Sequence, residues 1–141
     1  QKEMAGKSLQ EKSYPGTYTF SDGDVFILAE KERDTILALY QKQEEAGKDQ
    51  MNKMVVELMT RFGDPTSEAH DQIIYWAFGD KGKITDNKYD DLKQDGESQI
   101  LATVKFKSNL TFAEMDNDAT LKNGIHCIVT SPRLLEKFYQ Q

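Results

Sequence analysis

Cysteine is almost missing from this chain: Cys127 is the only one, so no internal disulfide can form. A small scaffold held by disulfide staples is excluded. Histidine is nearly as scarce, with only His70 and His126. No CxxC, HExxH, GxSxG or glycine-rich phosphate loop occurs, which removes the common zinc, hydrolase and nucleotide signatures. No apolar run approaches the ~20 residues that cross a bilayer as a helix, so no membrane span is expected. Basic residues are outnumbered by acidic ones, 18 to 24, for a net charge of −6. Nucleic acid requires a clustered basic face, and none is expected here. The same sign disfavours adsorption to anionic membranes.

What is present suits one folded domain. At 141 residues, with 38% hydrophobic and 30% charged residues, the chain can bury a single core and lies outside the compositional range of disorder. Residues 1–14 are polar and aperiodic and are expected to be a flexible arm, leaving 15–141 as one domain. The chain opens on Gln1, followed by a polar tract. That start fits a mature protein whose leader has been removed, and hence a periplasmic or secreted location in a bacterium.

The strongest periodicity is helical. Met51, Met54, Val55, Leu58, Met59 and Phe62 recur at the spacing of one helix face, predicting a helix over Asp49–Phe62 with Asp49 as its N-cap. Gly63 supplies a left-handed stop, and Pro65 prevents the helix from restarting. Ile73–Phe78 is apolar on both faces and reads as a buried strand. Before the helix, Val25–Ala29 and Thr35–Gln41 read as a hairpin around the charged Glu30–Asp34, while Thr17–Phe20 is β-prone but short. After it, Gln99–Lys107 alternates as a half-buried strand, with Ile100, Ala102, Val104 and Phe106 on one face. Ile125–Thr130 is a last strand, and Ser131-Pro132 opens a closing helix. Gly79–Ser98 reads as a long irregular connection and Ser108–Asn123 as a polar excursion. The predicted class is α+β: an antiparallel sheet in the order β-β-α-β-β-β-α, with one main amphipathic helix on one sheet face.

Candidate chemistry is sparse. His126 and Cys127 are strand neighbours, so their side chains point to opposite faces and cannot pair as base and nucleophile. Cys127 shares its face with Ile125 and Val129, where a small buried hydrophobe belongs. His70 and Asp71 lie between the helix stop and the central strand, where turn duty competes with base chemistry. Asp116-Asn117-Asp118 begins like a calcium loop but places Leu121 where the turn glycine is needed, so neither metal nor cofactor is expected. Asn109-Leu110-Thr111 matches the N-glycosylation triplet, a match that arises often by chance. The remaining option is aromatic. Tyr75, Trp76 and Phe78 form a candidate interaction surface, since either Tyr75 or Trp76 must look away from the covering helix. That second face packs on the terminal helix, meets a partner, or surrounds a small apolar ligand.

The segment Leu58–Phe78, LMTRFGDPTSEAHDQIIYWAF, resembles the helix, Gly-x-Pro-Thr turn and Trp-bearing strand of small bacterial envelope domains of the SmpA/OmlA and beta-lactamase-inhibitor-protein-like type. The resemblance implies helices packed on an antiparallel sheet and work done by binding proteins. It departs from the family pattern in having a hairpin, rather than a second helix, before the main helix. No functional residue is carried over from it. The expectation is a non-enzymatic extracytoplasmic protein–protein interaction module, with a protein partner or a homodimer. The alternative is a domain that holds a small apolar ligand or lipid between sheet and helix, in a pocket adapted by the methionines.

Overall fold

The helix stop at Gly63 and the strand that follows it set the architecture. In the computed structural model, which describes residues 16–22, 24–33, 35–95 and 100–131, the elements in chain order are β1 (Thr17–Asp22), β2 (Val25–Glu30), β3 (Ile36–Ala46), α1 (Lys48–Phe62), β4 (Ser67–Ala69), β5 (Ile73–Gly79), β6 (Gly82–Lys83), α2 (Asp86–Asp95), β7 (Ala102–Ser108), α3 (Phe112–Asn117) and β8 (Asn123–Thr130). All strand pairs are antiparallel, in the spatial order β1-β2-β3-β8-β7-β5-β4, with β6 on β5. The sheet is therefore two meanders, β1-β2-β3 and β5-β7-β8, joined where β3 meets β8. The α+β class and the antiparallel sheet match the sequence reading. The expected arm over 1–14 and the closing helix after Ser131 lie outside the described residues.

The expected element order needs correction. Thr17–Asp22 is a full edge strand, and β3 runs to Ala46 rather than stopping at Gln41. Lys42, Gln43 and Ala46 are drawn into the sheet by pairing with His126, Ile125 and Asn123 of β8, against their modest strand propensity. The connection Gly79–Ser98 is not irregular: it holds β6 and α2. Tyr89 and Leu92 of α2 bury with Ala77, Ile84 and Ile100, so three apolar residues in a polar segment suffice for a packed helix. Ile100 thus joins this cluster and not the row of Val104 and Phe106. The excursion Ser108–Asn123 contains α3, whose N-cap Thr111 accepts a hydrogen bond from Glu114 N and donates one to Glu114 Oε1. The Thr111 hydroxyl therefore caps the helix, and Thr111-x-x-Glu114 is the sequence signature of such a start.

Helix α1 starts at Lys48, ahead of the N-cap candidate Asp49. Its N-cap is Gly47, whose N–H donates to Gln50 Oε1 at 3.1 Å, while Asp49 sits in the first turn, near the positive end of the helix dipole. Met51 and Met54 are buried, and Val55, Leu58 and Phe62 pack around them. Met59 departs from the expected stripe and is 38% exposed. The core beneath α1 is built from Ile74 and Trp76 of β5, Val104 and Phe106 of β7, and Ile125 of β8. Register places these on one sheet face, Trp76 opposite Val104 and Ile74 opposite Phe106. Tyr75, Lys105, Ile128 and Tyr40 line up on the other face.

The helix ends in a corner tied to β5 by polar bonds. Gly63 has φ 76° and ψ −153°, a region open essentially to glycine alone. Its carbonyl accepts the indole N–H of Trp76 at 2.9 Å. Three residues on, Thr66 is 1% exposed; its N–H donates to Tyr75 O, its hydroxyl donates to Ile84 O at 2.7 Å, and the same oxygen accepts from Ala77 N at 3.0 Å. One threonine therefore links the corner, β5 and the residue after β6. Thr66→Val keeps the shape but strands Ala77 N–H and Ile84 C=O in the interior. We expect it to cost about 2–4 kcal/mol in urea unfolding. A loss below about 0.5 kcal/mol would show that these bonds do not hold the corner.

Candidate functional site

The sequence-predicted site residues separate in space. Trp76 is fully buried under α1, with its ring 6.2 Å from Phe62, so it offers nothing to a partner. Phe78 is half-buried on the same face, edge-on to Phe62 at 5.7 Å. Tyr75 alone of the three faces away from α1, and there it packs on Tyr89 of α2 at 5.2 Å. The expected aromatic interaction surface is thus divided between two packed interiors. On that second face Leu28, Ala38 and Tyr40 are buried as well.

His70 and Asp71 form the turn between β4 and β5, closed by Gln72 N donating to Ala69 O at 3.1 Å. Both have positive φ, 57° and 53°, within the three-residue loop between the paired Ala69 and Ile73. The turn aims Asp71 at α3: its carbonyl accepts from Phe112 N and its Oδ2 from Ala113 N. Those two N–H groups are otherwise orphans of the first helical turn. His70 is exposed at the tip. Asp71 therefore serves as a cap of α3.

Cys127 and His126 do point to opposite faces. Cys127 lies opposite Phe106 and Gln41, on the α1 side, while His126 lies opposite Lys107 and Lys42. Burial pushes the Cys127 thiol from 9.0 up to about 11, so at neutral pH it is protonated and a poor nucleophile. His126 is buried and shares a 2.6 Å hydrogen bond between its Nδ1 and the Tyr40 hydroxyl. Desolvation raises the Tyr40 pKa, with Glu44 adding to it. Asp118 of the acidic run is bonded to Thr120 through its hydroxyl and its N–H, which lowers its pKa, and Asp116 pairs with Lys48 at 3.2 Å. Among the described residues no cluster of three or more metal-type ligands occurs.

The sequence reading allowed a methionine-lined pocket between sheet and helix but not its place, which is a groove beside α1. The helix covers β5, β7 and part of β8 but leaves the β3 side open. There a groove of about 460 Å³ runs between helix and sheet. Its floor is apolar: Met54, Leu58, Phe62, Val104, Cys127 and Val129. Its rim is polar: Gln41 and Gln43 from β3, and Gln50, Lys53, Glu57 and Arg61 from α1. The α1 rim residues recur at i, i+3, i+7 and i+11, the same period as the buried stripe and one step around the helix. That spacing was the signal available in the sequence. Among the described residues no helix is long and apolar enough to cross a membrane.

Two outcomes follow from these placements. Asp71→Ala removes the Oδ2 acceptor from α3 and is expected to cost about 1–2 kcal/mol in chemical denaturation, whereas Asp71→Asn, which keeps an acceptor and tolerates positive φ, costs under about 0.5. Equal losses would refute the capping role. The Cys127 thiol is held above its unfolded value, so its contribution is complete below pH 9.0 and is lost as pH rises toward about 11. Stability should fall by roughly 2 kcal/mol across that window from this group. In Cys127→Ala, referenced to its own stability at pH 7, the slope should be correspondingly shallower; an unchanged slope would contradict the raised pKa of this half-buried thiol.

Compared with known proteins, the chain matches no family model, no curated protein and no solved structure.

Proposed function

We propose that this protein is a non-enzymatic interaction module of the bacterial periplasm or exterior, which binds a segment of another protein in the groove between α1 and the sheet. The observation that carries the reading is the groove itself, an apolar floor with a polar rim along an otherwise well-packed core. Grooves of this make-up receive side chains on the floor and satisfy a partner's backbone and charges at the rim. Small-ligand pockets bury most of their ligand's surface. This groove is open along its β3 side, so a small apolar molecule would stay largely wet, and a polypeptide fits better. Support for a binding role also comes from the side chains that could do chemistry. The Cys127 thiol is protonated, Asp71 caps α3, and His126 is engaged with Tyr40. The resemblance of Leu58–Phe78 to envelope domains that bind proteins points the same way.

A photo-crosslinking amino acid at Lys53, on the rim, tests the reading in cells of the source organism, with exposed Asn87 on α2 as the control position. The expected result is a discrete protein adduct from position 53, in the periplasmic or secreted fraction, absent from position 87 and abolished by Val129→Glu on the groove floor. An adduct of twice the chain mass would identify the partner as a second copy. Identical products from both positions, or none, would overturn the proposal.

A further inference from the structure

β3 is much longer than the strand it pairs with on its β2 side. β2 begins only at Val25, opposite Gln41, while β3 continues through Lys42–Ala46. On the other side these residues are held by β8, through Lys42 with His126, Gln43 with Ile125 and Ala46 with Asn123. On the β2 side no strand among the described residues lies against them. Instead there is a notch of about 530 Å³, bordered by Asp24, Phe26, Lys42–Glu45 and Gln50. Lys42 and Glu44, which pair with each other, project from one face of β3 and Gln43 from the other, ahead of a bulge between Gln43 and Ala46. A void that touches both sets lies at the strand's edge and not on a face. It is a socket with the start of β2 behind it, β3 along its length and the start of α1 beside it.

An open strand edge presents backbone N–H and C=O groups to another chain, and β-augmentation uses them for affinity. Charge selects the occupant. The socket carries the carboxylates of Asp24, Glu44 and Glu45 against one ammonium, Lys42, which is already paired with Glu44 at 3.1 Å. A second copy of this chain would set like charges against each other, in a protein of net charge −6. A basic strand would be attracted by the same groups. We propose that the Lys42–Ala46 edge of β3 is a β-augmentation site for an extended cationic segment of a partner protein. Five residues in strand geometry span about 17 Å, so the segment is short. This inference rests on the interaction-module reading and names one element of the partner. The socket and the groove share Gln43 and Gln50, so one partner chain can run from one into the other.

The test uses the full chain, isotopically labelled, and three synthetic pentapeptides: alternating Lys and Val, alternating Glu and Val, and the Lys/Val peptide with proline at its centre. At roughly millimolar concentration the Lys/Val peptide should shift the amide resonances of residues 42–46 and slow hydrogen exchange among them by about tenfold, more weakly at high salt. The Glu/Val peptide should have no effect. The proline peptide, which lacks a ladder donor, should have lost most of its effect. An equal response to the proline peptide would mean charge adsorption without strand pairing and would overturn the inference. So would a response centred on α1 near Leu58 and Arg61, or no response. Any of these would leave the groove adduct from position 53 intact, so this inference can fail while the interaction module stands.

Discussion

The Gly63–Thr66 corner is the constraint from which the rest of this structure follows. It must stop α1, reverse the chain and enter β4 within a few residues, with Thr66 buried against β5. Glycine supplies the backbone conformation, and Pro65 follows at a point where helix cannot resume. The polar groups that such a corner buries are then satisfied from β5: Trp76 bonds Gly63 O, while Thr66 bonds Ala77 N and Ile84 O. Among the described residues no buried side-chain nitrogen or oxygen is left without a partner. Buried polar groups that are unpaired cost more than paired ones gain, so the complete set gives the corner one arrangement.

That corner places α1. With its C-terminal end fixed over Trp76 and its start capped by Gly47 and Gln50, the helix lies across β5, β7 and the near part of β8. Of β3 it covers the Ala46 end, while Gln41 and Gln43 stand at the groove rim. The same sheet face therefore continues beyond the helix as an apolar strip, with Leu58 and Val129 at its margin. The other face near β5 is closed by α2 through Tyr89 and Leu92. One open side remains in the described structure around α1, and it adjoins the unpaired end of β3. The functional reading follows from that asymmetry.

The parts of this fold that were legible in the sequence are those stabilised by their own periodicity. The α1 stripe, the doubly apolar β5 and the alternation of β7 needed no partner to be read. The parts that were missed depend on distant residues. Lys42–Ala46 is strand because β8 pairs with it, and α2 is helix because Ala77 and Ile100 accept Tyr89 and Leu92. The choice between Tyr75 and Trp76 for the helix side was open until the corner decided it, because only Trp76 carries an N–H that can reach Gly63 O. His70-Asp71 was readable as a turn; its task of capping α3 was not, since Ala113 lies 42 residues further along the chain. The groove was half legible. Its helix flank is a periodic polar stripe, but which strand fails to reach under α1 is a matter of sheet order.

The central claim is that α1 leaves the sheet open on its β3 side in solution. Methyl relaxation by a soluble paramagnetic agent measures this without knowledge of any partner. The structure predicts strong relaxation of the Leu58 and Val129 methyls, with Ile74 and Ile125 shielded beneath the helix. If the methyls of Leu58 and Val129 were as shielded as those of Ile125, the groove would be closed and the account contradicted.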